Sequence, residues 1–472
     1  MKIRKKISLS YFICDFAGSS VAWGLFYFFR KYFIEHRIYG DSFTAEIGNK
    51  FYWGIILMPF FWTSLYAISG FYADPLRRSR IHEFGKSMLI TLFGATMIFF
   101  SLILNDAIND YRNYYISFLA LYGLQFTITW VMRFIITSAI TSRIHRGIIG
   151  FNTLIVGSNG KAIEICRSIK SEKKSSGFLL TGYVSATGSN NPEVSNILPY
   201  LGKMEDLEKV VTDYNIEEVI IAVEGVEYDL VNDIVNRLCH RNVIIKAAPS
   251  MYDIVSGKIE TASIYATPLI RVSRRIMPHW EFSIKQIADY FLSLLALVLL
   301  SPLMLILIIA IWIEDRGPVL FRQERVGRYG RPFKIYKFRS MSVDAENDGP
   351  MLASEGDNRV TTVGRFMRKH RLDEIPNFYN VLKGDMSLVG PRPERKYYID
   401  QIIERAPYYN RVLTIKPGIT CWGQVKLGYA TDVDQMLLRL EYDLAYLENI
   451  SVYLDVKILF YTLGTIVRGK GL

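Results

Sequence analysis

Between Phe366 and Pro393 the stretch FMRKHRLDEIPNFYNVLKGDMSLVGPRP places two adjacent carboxylates, Asp373 and Glu374, among a dense set of cations. Arg365, Arg368, Lys369 and Arg371 come just before the pair, and Gly390, Pro391, Arg392 and Pro393 come after it. This combination suits the handling of phosphate groups, because guanidinium forks match phosphate oxygens and the two prolines restrict where the Arg392 fork can point. Helical spacing resumes after Leu372, which predicts Asp373 as the N-cap, Glu374 as the first helical residue and Pro376 inside the first turn. A carboxylate there would meet free backbone N–H groups and the positive end of a helix dipole, which favour its ionised form and would hold a substrate phosphate nearby. An isolated Asp-Glu pair before a helix is more often only a cap; the surrounding cations shift the reading toward chemistry.

Two further elements must position this site. The run Phe291–Ile313 is long enough to span a bilayer, but Ser301 and Pro302 stand at its centre. Proline removes one backbone hydrogen bond, so the helix is expected to break there. Basic residues flank the run on both sides, from Arg271 to Lys285 and from Arg316 to Lys334, so both flanks ask for the cytosolic side. A re-entrant helix satisfies this better than a kinked spanning one. Val319–Gln323 and Phe333–Phe338 then read as strands about a turn at Gly327–Gly330, with Lys334, Lys337 and Arg339 projecting from the second strand; a solvated hairpin is an equal reading on local pattern alone. Asp344 and Glu346 are acidic candidates for metal support, but with Glu355 and Asp357 they lie in a Gly- and Asp-rich loop, where solvation is the commoner role. Tyr453–Val467 is apolar, too short to cross, and suits a helix lying on protein core or on a membrane face.

Half of the 472 residues are hydrophobic and the mean hydropathy is positive, so the chain reads first as a membrane protein. The net charge of +11 gathers beside apolar segments and around the Asp-Glu pair, where it fits lipid headgroups and pyrophosphates, and no nucleic-acid partner is needed. Cys14, Cys166, Cys239 and Cys421 show neither zinc nor disulfide spacing. Four apolar segments, at about Ile7–Phe29, Phe51–Phe71, Phe84–Leu104 and Tyr115–Ile140, predict a four-helix transmembrane bundle over residues 1–146 with both ends in the cytosol. Asp15, Arg30 and Arg133, in or at the ends of these spans, are read as helix pairing and snorkelling in preference to a transport path.

Residues 147–255 read as a degenerate Rossmann-like cytosolic domain. Asn159 occupies the position where a dinucleotide fingerprint needs its second glycine, and no acid follows the next strand at Tyr183–Ala186. A structural or regulatory module, serving as an oligomer contact, is therefore expected in place of dinucleotide binding. A β-rich linker is assigned to 256–281 and the catalytic domain to 282–472. The expected fold is a membrane α-helical bundle, an α/β Rossmann-like domain and a mixed α/β monotopic catalytic domain with a re-entrant helix.

The segment LDEIPNFYNVLKGDMSLVGPRPE, with YKFRSM at Tyr336–Met341 and KPGIT at Lys416–Thr420, resembles the signature blocks of the bacterial sugar transferases, the polyprenol-phosphate hexose-1-phosphate transferases. The likeness runs from about Phe282 to the C-terminus; Asn377 stands where the family more often has Gln, and CWGQV at Cys421–Val425 differs from the commoner GLWQV. The resemblance implies a phosphoglycosyl transferase of the bacterial inner membrane, multi-pass, with its catalytic domain on the cytosolic face. It implies that Asp373 attacks the β-phosphate of a UDP-sugar, expels UMP and forms a covalent sugar-phosphoryl enzyme. Undecaprenyl phosphate would then take the group as undecaprenyl-diphosphate sugar, the initiating step of exopolysaccharide, capsule or O-antigen synthesis. Mg2+ is implied at Asp373 because the transition state spreads charge over several oxygens. Glu374 would position the metal or handle a proton, while Lys337, Arg339, Arg371 and Arg392, the last set between Pro391 and Pro393, would hold phosphate oxygens. Expected partners are the UDP-sugar, undecaprenyl phosphate and membrane lipid, with a homodimer left open. Rival readings are a membrane nucleotide-sugar dehydratase or epimerase, for which Tyr379 and Lys383 offer a Tyr-x-x-x-Lys match, and a non-catalytic membrane scaffold.

Overall fold

A computed structural model describes residues 2–35, 47–103, 111–186, 191–223, 228–238, 241, 243–248, 269–272, 277–343, 345, 357–428, 430 and 432–467. Most of the expected 256–281 linker, Cys239, Glu355 and the metal candidates Asp344 and Glu346 lie outside these residues. The chain divides into two compact units, one of residues 1–150 with 174–177, the other of the remainder.

Among the described residues the first unit holds four long helices: α1 (Lys2–Phe29), extended by a wider turn to Glu35, α2 (Asn49–Ile68), α3 (Arg80–Ile98) and α4 (Tyr111–His145). Each is part of a segment long and apolar enough to cross a membrane. Their inward faces mix polar with apolar side chains: Asp15, Glu83, Ser87, Gln125 and Arg133 are buried in the same bundle as Phe26, Trp62, Tyr66 and Leu121. Arg133 of α4 and Asp15 of α1 are both fully buried and form a two-pronged pair at 2.9 and 2.7 Å. The guanidinium also donates to Ser87 Oγ at 3.0 Å and lies over the Phe71 and Tyr66 rings at 3.8 and 4.1 Å. In an apolar surrounding such a charge persists only when paired and hydrogen-bonded, so Asp15 and Arg133 serve helix association, as expected.

The second unit opens with a doubly covered sheet: β1 (Phe151–Val156), α5 (Gly160–Ser171), β2 (Phe178–Ser185), β3 (Tyr200–Lys203), α6 (Leu207–Asp213), β4 (Glu218–Ile221), α7 (Tyr228–Leu238), β5 (Ile244–Ala247) and β6 (Ile270–Arg271). The strand order is β3-β2-β1-β4-β5-β6, parallel except for β6. Alternate side chains explain the two layers: Leu154, Val156, Val219 and Ile221 pack against α6 and α7, while Ile155 and Ile220 face α5. Gly157 (φ 139°) passes so close to β4 that a Cβ would lie 2.1 Å from the Ala222 oxygen. Asn159 caps α5 by accepting from Ala162 N at 3.2 Å, so its side chain occupies the helix start where a pyrophosphate would sit.

Beyond the sheet come α8 (His279–Leu299) and α9 (Ser301–Asp315), separated at Leu300. In an unbroken helix residue 302 would donate to the Val298 carbonyl; Pro302 cannot, and Ser301 Oγ donates to that carbonyl instead at 2.8 Å. The helix is interrupted at Leu300, with Ser301 and Pro302 in the first turn of α9, and α8 begins a dozen residues before the apolar run. A regular antiparallel hairpin follows, β7 (Leu320–Val326) and β8 (Pro332–Phe338), then α10 (Thr362–Lys369) and α11 (Asn377–Lys383). The chain continues through β9 (Ser387–Val389), α12 (Lys396–Arg405), β10 (Gly418–Thr420), α13 (Trp422–Leu427), α14 (Val433–Glu448) and α15 (Val452–Val467), with β9 and β10 parallel.

Polar side chains stitch both arms of the broken helix to this one domain. On α8, Asp289 accepts from Ser387 Oγ at 2.7 Å and from Leu388 N at 3.1 Å, and Lys285 donates to Val389 O at 2.9 Å and to Asp455 Oδ2 at 2.6 Å. At the end of α9, Glu314 Oε1 accepts from the first N–H groups of α10, Thr362 N at 2.7 Å and Val363 N at 3.2 Å.

Candidate active site

Local backbone chemistry shapes the Asp-Glu pair. Arg371 adopts a left-handed conformation (φ 55°) that ends the α10 run and turns the chain. Leu372, Asp373 and Glu374 then form a single 3-10 turn, and α11 starts only at Asn377. This corrects the expectation that Asp373 caps a continuous helix. The reason is Pro376: it has no N–H for the Leu372 carbonyl four residues back, and that carbonyl is taken by Ile375 N at 3.3 Å instead. Asn380 fixes the turn against the hairpin, accepting from Tyr336 N at 3.1 Å and donating to Lys334 O at 2.8 Å.

The two carboxylates are treated differently by their surroundings. Glu374 is 5% exposed; its Oε1 accepts from Lys337 Nζ at 2.6 Å, and Arg392 Nη1 lies 3.8 Å away. Burial pushes the Glu374 carboxyl up, but Lys337, Arg392 and Arg371 outweigh it and hold it at about 2. Asp373, 8% exposed, goes the other way: burial and then the Glu374 charge raise it, with Lys337 and Arg368 pulling back. The expectation of a carboxylate ionised by a helix dipole is thus replaced by one whose proton is held more tightly than usual. Burial likewise lowers Lys337, against the pull of Glu374.

Asp373 lines a cleft of about 280 Å³. Among the described residues the cleft is walled by seven cations, Arg325, Lys337, Arg339, Arg368, Arg392, Arg395 and Arg439, against two carboxylates, Asp373 and Glu394, an excess of positive charge that suits polyanionic ligands. Lys337, Arg339 and Arg392 are therefore brought together with Asp373, whereas Glu374, Arg371, Pro391 and Pro393 are not part of the lining. Tyr379 and Lys383 also lie outside it; Tyr379 is half exposed and Lys383 pairs with Asp385 at 3.1 Å. Asp357 is engaged by Arg359 at 2.6 Å, and among the described residues no group of three His, Cys, Asp or Glu could hold a metal ion.

Sequence reasoning missed the far wall. Glu394, 5% exposed, receives Arg439 Nη2 and has Arg325 Nη1 at 3.8 Å. Asp443, one turn beyond Arg439, is pushed up to about 7 by burial, with Arg439 pulling back. The signal was present in α14: Met436, Leu440 and Leu447 mark its buried stripe, and Arg439 and Asp443 fall on that same stripe. A charged pair on an apolar helix face points to a buried partner elsewhere.

Comparison with known proteins agrees with this geometry. The bacterial sugar transferase family matches residues 280–469, and a CoA-binding domain family matches residues 67–249. A UDP-N-acetylgalactosamine-undecaprenyl-phosphate N-acetylgalactosaminephosphotransferase of Aeromonas hydrophila is 48% identical over 40% of this chain and 44% of its own length. A UDP-glucose:undecaprenyl-phosphate glucose-1-phosphate transferase of Escherichia coli is 35% identical over 56% and 57%, so the chain spans about half the length of these curated relatives. An undecaprenyl-phosphate galactose phosphotransferase of Salmonella typhimurium is 30% identical over 68% of both chains. With the DE turn, the Pro-Arg-Pro segment and the broken apolar helix all inside the matched region, the chain belongs to the bacterial sugar transferase family.

Proposed function

We propose that this protein transfers a sugar-1-phosphate from a UDP-sugar to undecaprenyl phosphate, releasing UMP and initiating a surface polysaccharide. The observation that carries this reading is Asp373, the one carboxylate of the pair that lines the cation-rich cleft, while its neighbour is locked onto Lys337 and Arg392. Asp373 supplies the nucleophile: its oxygen attacks the β-phosphorus of the UDP-sugar, the bond to the UMP oxygen breaks, and the acceptor's phosphate later displaces the sugar-phosphoryl group. Arg392 and Lys337 neutralise phosphate oxygens as charge builds on them. Glu374 serves them by position, fixing both cations from outside the cleft lining.

Mg2+ fits this donor set in a limited way, since magnesium commonly binds through one or two carboxylates plus substrate phosphates, and Asp373 offers one carboxylate in the cleft. When bound it would supply further neutralisation of the pyrophosphate. The re-entrant reading of α8–α9 rests on the stitching described above: Lys285 and Asp289 on one arm and Glu314 on the other bind the same domain, which a straight crossing would separate. Together with the basic flanks this favours a catalytic domain on the cytosolic face of the bacterial inner membrane. Purified protein incubated with a panel of UDP-sugars and undecaprenyl phosphate should release UMP with at least one of them; no release with any would refute the reading.

A further inference from the structure

We propose that Arg339 anchors the phosphate of the lipid acceptor, a phosphomonoester on a polyprenyl chain, and leaves the donor pyrophosphate to the other cations of the cleft. The proposal rests on the transferase reading above and assigns one substrate to one end of the site.

The Arg339 side chain is 7% exposed and the residue lines the cleft, yet neither Nη1 nor Nη2 meets a hydrogen-bond acceptor among the described residues. Its nearest opposite charge is Asp315 Oδ2 at 3.3 Å, on a side chain that is 40% exposed. Two neighbouring cations already donate within the fold, Lys337 Nζ to Glu374 and Arg368 Nε to Ser340 Oγ at 2.9 Å. A buried guanidinium with unmet donors is costly unless a ligand completes it. The backbone leaves room for it, since a Cβ on Gly317 would lie 1.9 Å from Nη1.

Location decides which anion it takes. Asp315 is the last residue of α9, whose outward side chains Ile309, Trp312 and Ile313 are 57%, 55% and 66% exposed, an apolar surface suited to lipid. Arg339 N donates to Val319 O at 2.9 Å, so the residue stands where the apolar helix ends and the cleft begins. A polyprenyl chain lying along α9 would deliver its phosphate to that point, whereas a soluble nucleotide needs no such approach. In the step served, an acceptor phosphate oxygen bonds to the phosphorus carried by Asp373, the phosphorus–oxygen bond to the carboxylate breaks, and the electron pair returns to Asp373.

Two half-reactions separate the substrates in the full-length protein in detergent micelles. Exchange of labelled UMP into the UDP-sugar needs only the donor half, and transfer to undecaprenyl phosphate needs both. Arg339→Gln is expected to raise the acceptor KM by about tenfold or more, the loss of one charge-assisted hydrogen bond, while UMP exchange changes by less than about twofold. Arg339→Lys should recover part of the loss, and Gly317→Ala, which displaces the guanidinium without removing its charge, should reproduce the raised KM. If Arg339→Gln does not fold, these two variants carry the same comparison. Exchange falling in parallel with transfer, or an unchanged acceptor KM, would overturn the assignment. Absence of exchange by the parent chain with every UDP-sugar would remove the underlying transferase reading, a distinct result.

Discussion

Replacing Glu374 with Gln tests the electrostatic design of the site most directly. The substitution keeps size and shape but leaves Lys337 Nζ, 2.6 Å away, and Arg392, 3.8 Å away, facing a neutral amide. The folded protein holds this carboxyl at about 2 against an ordinary 4.5, and at about 1.4 kcal/mol per pH unit that gap corresponds to about 3 kcal/mol. Lys337 caps the cost, because burial already lowers it and it can shed its proton once its partner is gone. The expected loss is therefore about 2 kcal/mol near neutral pH, below the about 3–5 kcal/mol of a buried pair whose remaining charge cannot neutralise. The sign follows from a depressed carboxylate: its contribution is present above the ordinary glutamate range and is lost as pH falls through that range toward 2. Thermal unfolding of parent and variant in detergent should thus differ most at pH 7 and converge under acid. The same variant removes the like charge that raises Asp373, so the acid limb of its UMP-exchange rate should move to lower pH. A loss below about 0.5 kcal/mol at pH 7, together with an unmoved acid limb, would refute the assigned coupling.

In the parent protein the acid limb of exchange should lie above the ordinary aspartate range, because Asp373 is raised by burial and Glu374 and must lose its proton to attack; a limb near pH 4 would contradict this. Asp373→Asn should abolish both UMP exchange and transfer while the protein stays folded and membrane-bound, and near-parental turnover would exclude a covalent route. Pro302→Leu should restore the hydrogen bond to Val298, straighten α8–α9 and reduce transfer without touching a cleft residue. Single cysteines at Trp280 and Leu320, 51% and 43% exposed, should both label with an impermeant thiol reagent only in inside-out vesicles; outside labelling at Leu320 would mean a crossing helix. Calorimetry should show no heat of NAD or NADP binding, since Asn159 already fills the α5 start, and micromolar binding would revive a dinucleotide role for the sheet domain.

Much of this architecture was legible in the chain itself, because it depends on local pattern. Apolar runs of spanning length, the proline in mid-run, alternating strands and a glycine position filled by Asn159 each carry their physical meaning within a few residues. The Asp373–Glu374 pair and its cations were legible for the same reason. What tertiary structure alone decided is how those charges are divided. Helical spacing made both carboxylates look like members of one helix start, but the left-handed Arg371 and the missing N–H of Pro376 put them in a tight turn whose state is set by burial and by Lys337 from a strand 37 residues away. The same holds for Glu394 with Arg439, 45 residues apart, and for Asp289 with Ser387, 98 apart. Coulomb and desolvation energies depend on distance and dielectric in space, and neither quantity is written in the spacing of residues along the chain.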